Sequence, residues 1–401
     1  MMRMVKKLWV AVIVAALSVS AFGVSAAEQQ VAGSFKDVPA GHWAASVIRE
    51  AVGKGYVSGY PDGTFRPDQN VTRAEFMKML VSALELSHET EGSPWYQPYV
   101  AALTEAGVFV KSDFSDFKAP ISRLEIMRLT ARGLAMDIHY RGYLEAFSGL
   151  YNGDLPYVDY RDLKDADVPY AALAIGSGIL AGYPDITMGL SKNATRAEAV
   201  AMIERLLKVK SKAPESFQAL RELKEVAETG TNATTVSSLV PEINLQEEEA
   251  VTVTQNYTVK LKRYYVIPLE GDVVSIYERK FLWDRNDVPE HLFNRARGYV
   301  AVVTDLTPTK DGDQEYFRLN TYVTPGGNTF YYNTPSEKFG FIHPWPAERV
   351  EVKKGVTYEV VFYGVYSNDY FGVNFQSNNF ISGGGFRLLF NPDKLKARES
   401  E

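Results

Sequence analysis

The sequence predicts a multidomain chain: an all-α module of tandem repeats, followed by an all-β domain that is sandwich- or barrel-like. Two observations predict the first part. Trp43 and Trp95, and likewise Gly55 and Gly107, stand 52 residues apart, and a Thr/Ser-Arg-x-Glu tetrad opens an apolar helical stretch in each of three places. A third observation predicts the second part. Beyond Val251, short segments rich in Val, Tyr and Phe alternate with Gly, Asn and Pro.

The chain opens with Arg3, Lys6 and Lys7 ahead of an apolar run from Leu8 to Leu17, then Val24-Ser25-Ala26-Ala27. A basic head, a short apolar stretch and a small-residue end read as a secretory signal peptide over 1–27. The run is too short to span a bilayer, so an exported, soluble mature chain without a membrane partner is expected. The whole chain carries 43 basic and 49 acidic side chains, a net charge of −6. That balance argues against nucleic acid or anionic lipid as a partner. There are no cysteines, which excludes disulfides, thiolate metal sites and cysteine nucleophiles.

The first repeat, 34–86, runs from Phe35-Lys36-Asp37-Val38 through Trp43 and a helical stretch to Gly55. A Gly59-Tyr60-Pro61-Asp62-Gly63-Thr64-Phe65 loop and the tetrad Thr72-Arg73-Ala74-Glu75 follow. The second, 87–136, has Trp95, Gly107 and Ser122-Arg123-Leu124-Glu125; the third, 161–208, has Gly178, Gly182-Tyr183-Pro184-Asp185 and Thr195-Arg196-Ala197-Glu198. Gly55, Gly107 and Gly178 sit where a helix C-terminal cap belongs, and Pro and Gly suit the loop to a turn. Each repeat therefore reads as helix, ordered loop, helix. Residues 137–160, rich in Tyr and Phe, read as an insertion without an assigned role. A charged amphipathic helix is expected over Pro214–Glu228, and the polar stretch from Thr229 to Ala250 reads as a linker, so that 209–250 joins the repeats to a β-rich domain at 251–392. Strands are expected at Val251–Val253, Tyr257–Ile267, Val273–Tyr277, Tyr299–Val303, Phe317–Val323, Thr329–Tyr332, Tyr358–Tyr366 and Phe386–Phe390, with Pro325-Gly326-Gly327-Asn328 as one of the turns.

The tetrad is a capping box: Thr72 with Glu75, Ser122 with Glu125, and Thr195 with Glu198 can each satisfy two helix-end amides. Capping does not account for the arginines. Arg73, Arg123 and Arg196 fall on the first helical position, where the macrodipole mildly disfavours a cation. A helix N-terminus with free amides plus a guanidinium would form a clamp for a carboxylate. The alternative is that each arginine pairs with an Asp of a neighbouring repeat and only holds the fold together. Trp43, Trp95, Tyr60 and Tyr183 offer flat faces suited to a sugar, beside Gly59 and Gly182, while Asp62 and Asp185 can accept from sugar hydroxyls. For the tryptophans the competing role is core packing, and for the two aspartates it is turn formation.

These three segments resemble S-layer homology repeats, whose signature is a Trp-Ala start, a Gly-Tyr-Pro-Asp-Gly-Thr-Phe-x-Pro loop and a Thr-Arg-Ala-Glu tetrad. The resemblance spans about residues 34 to 208. It implies a pseudo-threefold helical module whose grooves bind secondary cell-wall polysaccharide of a Gram-positive bacterium, through pyruvate ketals on its sugars. A ketal pyruvate supplies the carboxylate that the arginines ask for. Copy two departs from the pattern, with Lys111-Ser112-Asp113-Phe114-Ser115-Asp116-Phe117 in place of the loop. Copy three has Ala166 where Trp43 aligns, and Ile186-Thr187-Met188 for Gly-Thr-Phe. The groove built from copy one is therefore expected to be strongest, with Arg73 contributing more than Arg123.

No catalytic constellation is legible in the second half. Asp284, Asp287 and Glu290 beside Trp283 read as a solvated loop. His291 and His343 lack a metal-binding or nucleophilic partner, and Asp311-Gly312-Asp313-Gln314-Glu315 lacks the spacing of an EF-hand. The outward rings expected at Tyr264-Tyr265 and Tyr331-Tyr332 would suit a glycan or a protein, but a large aromatic core explains them more simply. No cofactor is expected. The leading expectation is a wall-anchored, non-enzymatic surface protein with a β-domain payload. An anchored polysaccharide-active enzyme and a subunit of a surface lattice are the alternatives.

Overall fold

The computed structural model describes residues 35–237, 245, 251–253, 257–269, 271–281, 298–313, 321–322, 351–366, 372–375 and 386–389. The N-terminal segment read as a signal peptide, the Trp283 acidic cluster, His291, His343, Gln314, Glu315 and the 325–332 turn and strand lie outside these residues.

In chain order the helices are α1 (Ala45–Gly53), α2 (Arg73–Ala83), α3 (Gln97–Glu105), α4 (Arg123–Leu134), α5 (Ile138–Ala146), α6 (Val168–Gly176), α7 (Arg196–Lys210), α8 (Gln218–Thr229), α9 (Ala233–Val236) and α10 (Glu278–Phe281). Helices α2, α4 and α7 begin at the three tetrads. Each carries a complete capping box: the Glu75, Glu125 and Glu198 carboxylates accept from the N-cap amides at 2.8, 2.9 and 2.9 Å.

The three tetrads meet at the centre of the module. The Val71 amide donates to Ala194 O (3.2 Å), the Ala194 amide to Ile121 O (2.9 Å) and the Ile121 amide to Val71 O (2.8 Å), so three strand-like residues from three repeats close a ring of hydrogen bonds. All three side chains are buried, as are Phe76, Ile126 and Val200 on the following helices. The first helix of each repeat packs against the second helix of another: α1 on α7, α3 on α2, α6 on α4. No repeat buries its own apolar faces alone, and the threefold arrangement follows from that need.

The strands are β1 (Val251–Val253), β2 (Tyr257–Pro268), β3 (Gly298–Pro308), β4 (Gly312–Asp313), β5 (Thr321–Tyr322), β6 (Glu351–Val352), β7 (Tyr358–Tyr366), β8 (Gly372–Phe375) and β9 (Phe386–Leu389). They form an antiparallel sheet β1-β2-β3-β7, a pair β4-β6 and a three-stranded sheet β5-β8-β9. The expected strand at Val273–Tyr277 is not one. The Glu222 carboxylate accepts from Ser275 Oγ (2.8 Å) and from the Ile276 amide, taking a donor that a ladder would need.

Two segments behave differently from the sequence reading. Residues 137–160 form α5 and a series of 3₁₀ turns that dock the sheet onto the helical module. Asp154, fully buried, holds Arg263 of β2 (Nε–Oδ1 3.0 Å, Nη2–Oδ2 3.2 Å) and accepts from Tyr265 Oη at 2.7 Å. The buried Lys280 ammonium donates to the Gly153 and Leu155 carbonyls, and Tyr151 Oη donates to Glu359 of β7. The start of the expected linker is equally ordered. Asn232 is fully buried and brackets Val266 of β2, accepting from its amide at 2.7 Å and donating to its carbonyl at 3.0 Å. Polar composition misled here, because a buried amide with every bond satisfied is stable in a core.

Candidate functional site

The tetrad arginines reach forward into the next repeat, in a cycle. Arg73 pairs with Glu125 and donates to Asp116 O (2.9 Å); Arg123 donates to Met188 O (3.0 Å) and Ala181 O (3.1 Å); Arg196 returns to repeat one, donating to Phe65 O (3.0 Å) and Ser58 O (2.7 Å). Each guanidinium thus clips the loop of its neighbour. The helix-end amides are not open to a ligand, which corrects the free-amide expectation. The first two of α2, α4 and α7 all donate to carbonyls of the next loop at 2.8–3.0 Å, and the third donates to the cap oxygen.

Their electrostatics differ. Arg73 has a two-pronged pair with Glu125, Nη2–Oε1 2.5 Å and Nε–Oε2 3.2 Å, and lies over the Phe114 ring. Arg123 has a looser contact with Glu198 at 3.5 Å and lies over Tyr183, 4.6 Å from the centroid. Arg196 is 8% exposed and has no carboxylate within ion-pair distance among the described residues. Burial lowers its pKa, the cost of a cation without a counter-ion.

Two cavities open beside these arginines. The first, about 380 Å³, is lined by Arg123, Gly182, Tyr183, Glu198, Arg205 and Trp43, with Asp68 and Thr195 at its wall. The second, about 400 Å³, is lined by Arg196, Gly59, Tyr60, Glu75, Lys78 and Trp95. They are equivalent by the pseudo-threefold. Each joins the loop and helix of one repeat, the arginine of the repeat before it and the tryptophan of a third. Trp43 and Trp95 are 58% and 51% exposed, so neither is a core residue.

A family model for the S-layer homology domain matches residues 34–77. Residues 34–77 are an S-layer homology domain. The chain has relatives among surface proteins. An S-layer protein of Bacillus thuringiensis subsp. finitimus is 29% identical over 184 residues, 43% of this chain and 21% of that protein. A cellulosome-anchoring protein of Acetivibrio thermocellus is 34% identical over 115 residues, 25% of this chain and 26% of that one. An amylopullulanase of Thermoanaerobacterium thermosulfurigenes is 28% identical over 184 residues, 43% of this chain and 9% of the enzyme. The chain thus spans about a fifth of the length of the S-layer relative. An S-layer homology domain in this company marks a secreted protein of the cell surface.

Within the S-layer homology module, Trp43, Arg123, Gly182 and Tyr183 come together in one groove, and Trp95, Arg196, Gly59 and Tyr60 in the other. Arg73 lines neither cavity. Asp62 and Asp185 line neither as well. The Asp62 carboxylate accepts from the Thr64 amide and hydroxyl and from Arg66, which lowers its pKa to about 2; Asp185 does the same with Thr187. They are turn-formers. Three groove residues, Asp68, Lys78 and Arg205, lie outside the repeat landmarks. Asp37, at the start of the first repeat, and Asp159, inside the expected insertion, hold the loops: their carboxylates accept from the amides of Phe65 and Arg66, and of Met188 and Gly189, at 2.7–2.8 Å. The shared aromatic-x-Asp of Phe35–Asp37 and Tyr157–Asp159 is the signal that identifies them, and it starts the third copy inside the expected insertion.

Copy two's substituted loop is filled by aromatic rings. Phe109, Phe114 and Phe117 cluster with centroids 5.0–5.9 Å apart, and Asp113 ties the loop to Arg132 at 2.6 Å. The apolar plug sits where the other copies hold Gly-Tyr-Pro-Asp.

Proposed function

We propose that this module anchors the exported protein to a Gram-positive cell wall by holding a pyruvylated secondary cell-wall polysaccharide in two grooves. The single observation that carries the reading is Arg196. It is a buried guanidinium without a carboxylate partner, beside a cavity of about 400 Å³ roofed by an exposed tryptophan. A ketal carboxylate would accept from Nη1, which makes no hydrogen bond among the described residues, while the sugar lies against Trp95. The groove of Arg123 and Trp43 offers a related site, with the guanidinium held only loosely by Glu198 at 3.5 Å and beside its own exposed tryptophan. Arg73 acts as a clamp between repeats one and two, reversing the ranking that the better-matched copy one suggests. The cellulosome-anchoring relative supports an anchoring role, and the strand-rich half, an all-β domain over 251–392, is then its non-catalytic payload.

Retention on purified sacculi tests this. The chain should bind native sacculi and lose binding when the pyruvate is stripped. Arg196→Ala should weaken binding by roughly 1.5–3 kcal/mol, the scale of a charge-assisted hydrogen bond. Arg73→Ala should leave the affinity of folded protein unchanged. Equal retention on stripped sacculi rejects the carboxylate reading. Polysaccharide cleavage by the purified chain rejects the non-catalytic one.

A further inference from the structure

The position nine residues beyond the tetrad arginine differs among the three copies: Ser82 on α2, Arg132 on α4 and Arg205 on α7. Arg132 is neutralised by Asp113 at 2.6 Å. Arg205 has no carboxylate within ion-pair distance among the described residues. Among the described residues it makes one long hydrogen bond, Nη1 to Ile179 O at 3.4 Å, and its side chain lines the cavity of Arg123 and Trp43. Burial and the Arg123 charge both lower its pKa, so two like charges converge on one partly dehydrated space. Neither acidic group lining that cavity lies within ion-pair distance of Arg205. Glu198 is engaged by the Thr195 amide, Tyr183 Oη and Arg123, and Asp68 is exposed at the rim. The other groove has only the exposed Lys78 as a second cation, a hydrated point charge rather than a planar fork.

We propose that Arg205 is a specificity-determining residue that gives the Arg123 groove a second carboxylate subsite, so that this groove prefers a glycan carrying an acidic sugar next to the ketal. The proposal rests on the groove-binding reading above. Arg123 holds one carboxylate and Arg205 the other, with Trp43 against the sugar between them. The two grooves would then take different stretches of one wall polymer.

The test uses the full chain bearing Trp95→Ala, which silences the other groove at an exposed position. Two probes are titrated into it: a ketal-pyruvylated hexosaminide, and the same sugar linked to glucuronic acid. The second should bind at least tenfold more tightly. Arg205→Gln should reduce that preference to within twofold while changing affinity for the first probe less than threefold, and Arg205→Lys should restore part of it. Equal affinity for the two probes, or an equal loss for both in Arg205→Gln, overturns the proposal while leaving the groove reading standing. Failure of both probes to bind overturns both.

Discussion

Arg73 leaves its own repeat and closes a two-pronged ion pair on Glu125, 52 residues ahead, with Nη2–Oε1 at 2.5 Å. The equivalent Arg196 donates to two carbonyls of repeat one and lies over its Tyr60 and Phe65 rings, with no ion pair among the described residues. One residue type at one motif position therefore has two roles, set by what the neighbouring repeat presents. Glu125 has 9% of its side chain exposed. Arg73→Ala would leave it buried without a counter-ion and should cost about 2–4 kcal/mol of stability. A urea titration checks this; a midpoint within error of the wild type would show that the pair is not a clamp.

The tryptophans should behave in the opposite way. Both are more than half exposed, so Trp43→Ala and Trp95→Ala should each change stability by less than about 0.5 kcal/mol. Each should nevertheless weaken sacculus binding. Thermal unfolding and retention measured on the same samples separate the two effects. A large fall in melting temperature would return these rings to the core.

Gly59 and Gly182 tie loop shape to the grooves. A Cβ at Gly59 would run into the Phe35 ring, and one at Gly182 into the Tyr157 ring. Gly59→Ala should therefore destabilise by about 1–3 kcal/mol through overpacking, although it adds only a methyl group. Chemical denaturation checks the figure, and wild-type stability in Gly59→Ala contradicts the packing.

The tetrads and turn aspartates were legible because their chemistry is local. Thr72 and Glu75, or Asp62 and Thr64, find each other within a few residues, so spacing alone identifies them. The partners of the arginines were not legible. Whether Arg196 meets a carboxylate depends on the loop of repeat one, more than a hundred residues away in sequence. The docking of the sheet was hidden for the same reason. Asp154 looked like one acid in an aromatic insertion, and its partners Arg263 and Tyr265 lie on a strand that periodicity identifies without saying what it packs against.

The docking surface carries a pH dependence. Burial pushes the Lys280 pKa down to about 8, below that of a solvated lysine. Between about pH 8 and 10 the unfolded chain still holds a proton that the folded chain has released. This residue's contribution to stability therefore rises with pH across that window, on the order of 2 kcal/mol. Subtracting the unfolding profile of Lys280→Met from that of the wild type isolates it, and a difference independent of pH over the window refutes it.

The central claim is that two of the three tetrad arginines, Arg196 and Arg123 but not Arg73, receive ketal carboxylates. Calorimetric titration of a ketal-pyruvylated glycoside into the full chain measures this directly. Two sites are predicted in the wild type, one in Arg196→Ala and none when Arg123→Ala is added. Three sites, or a stoichiometry unchanged by those substitutions, would contradict it.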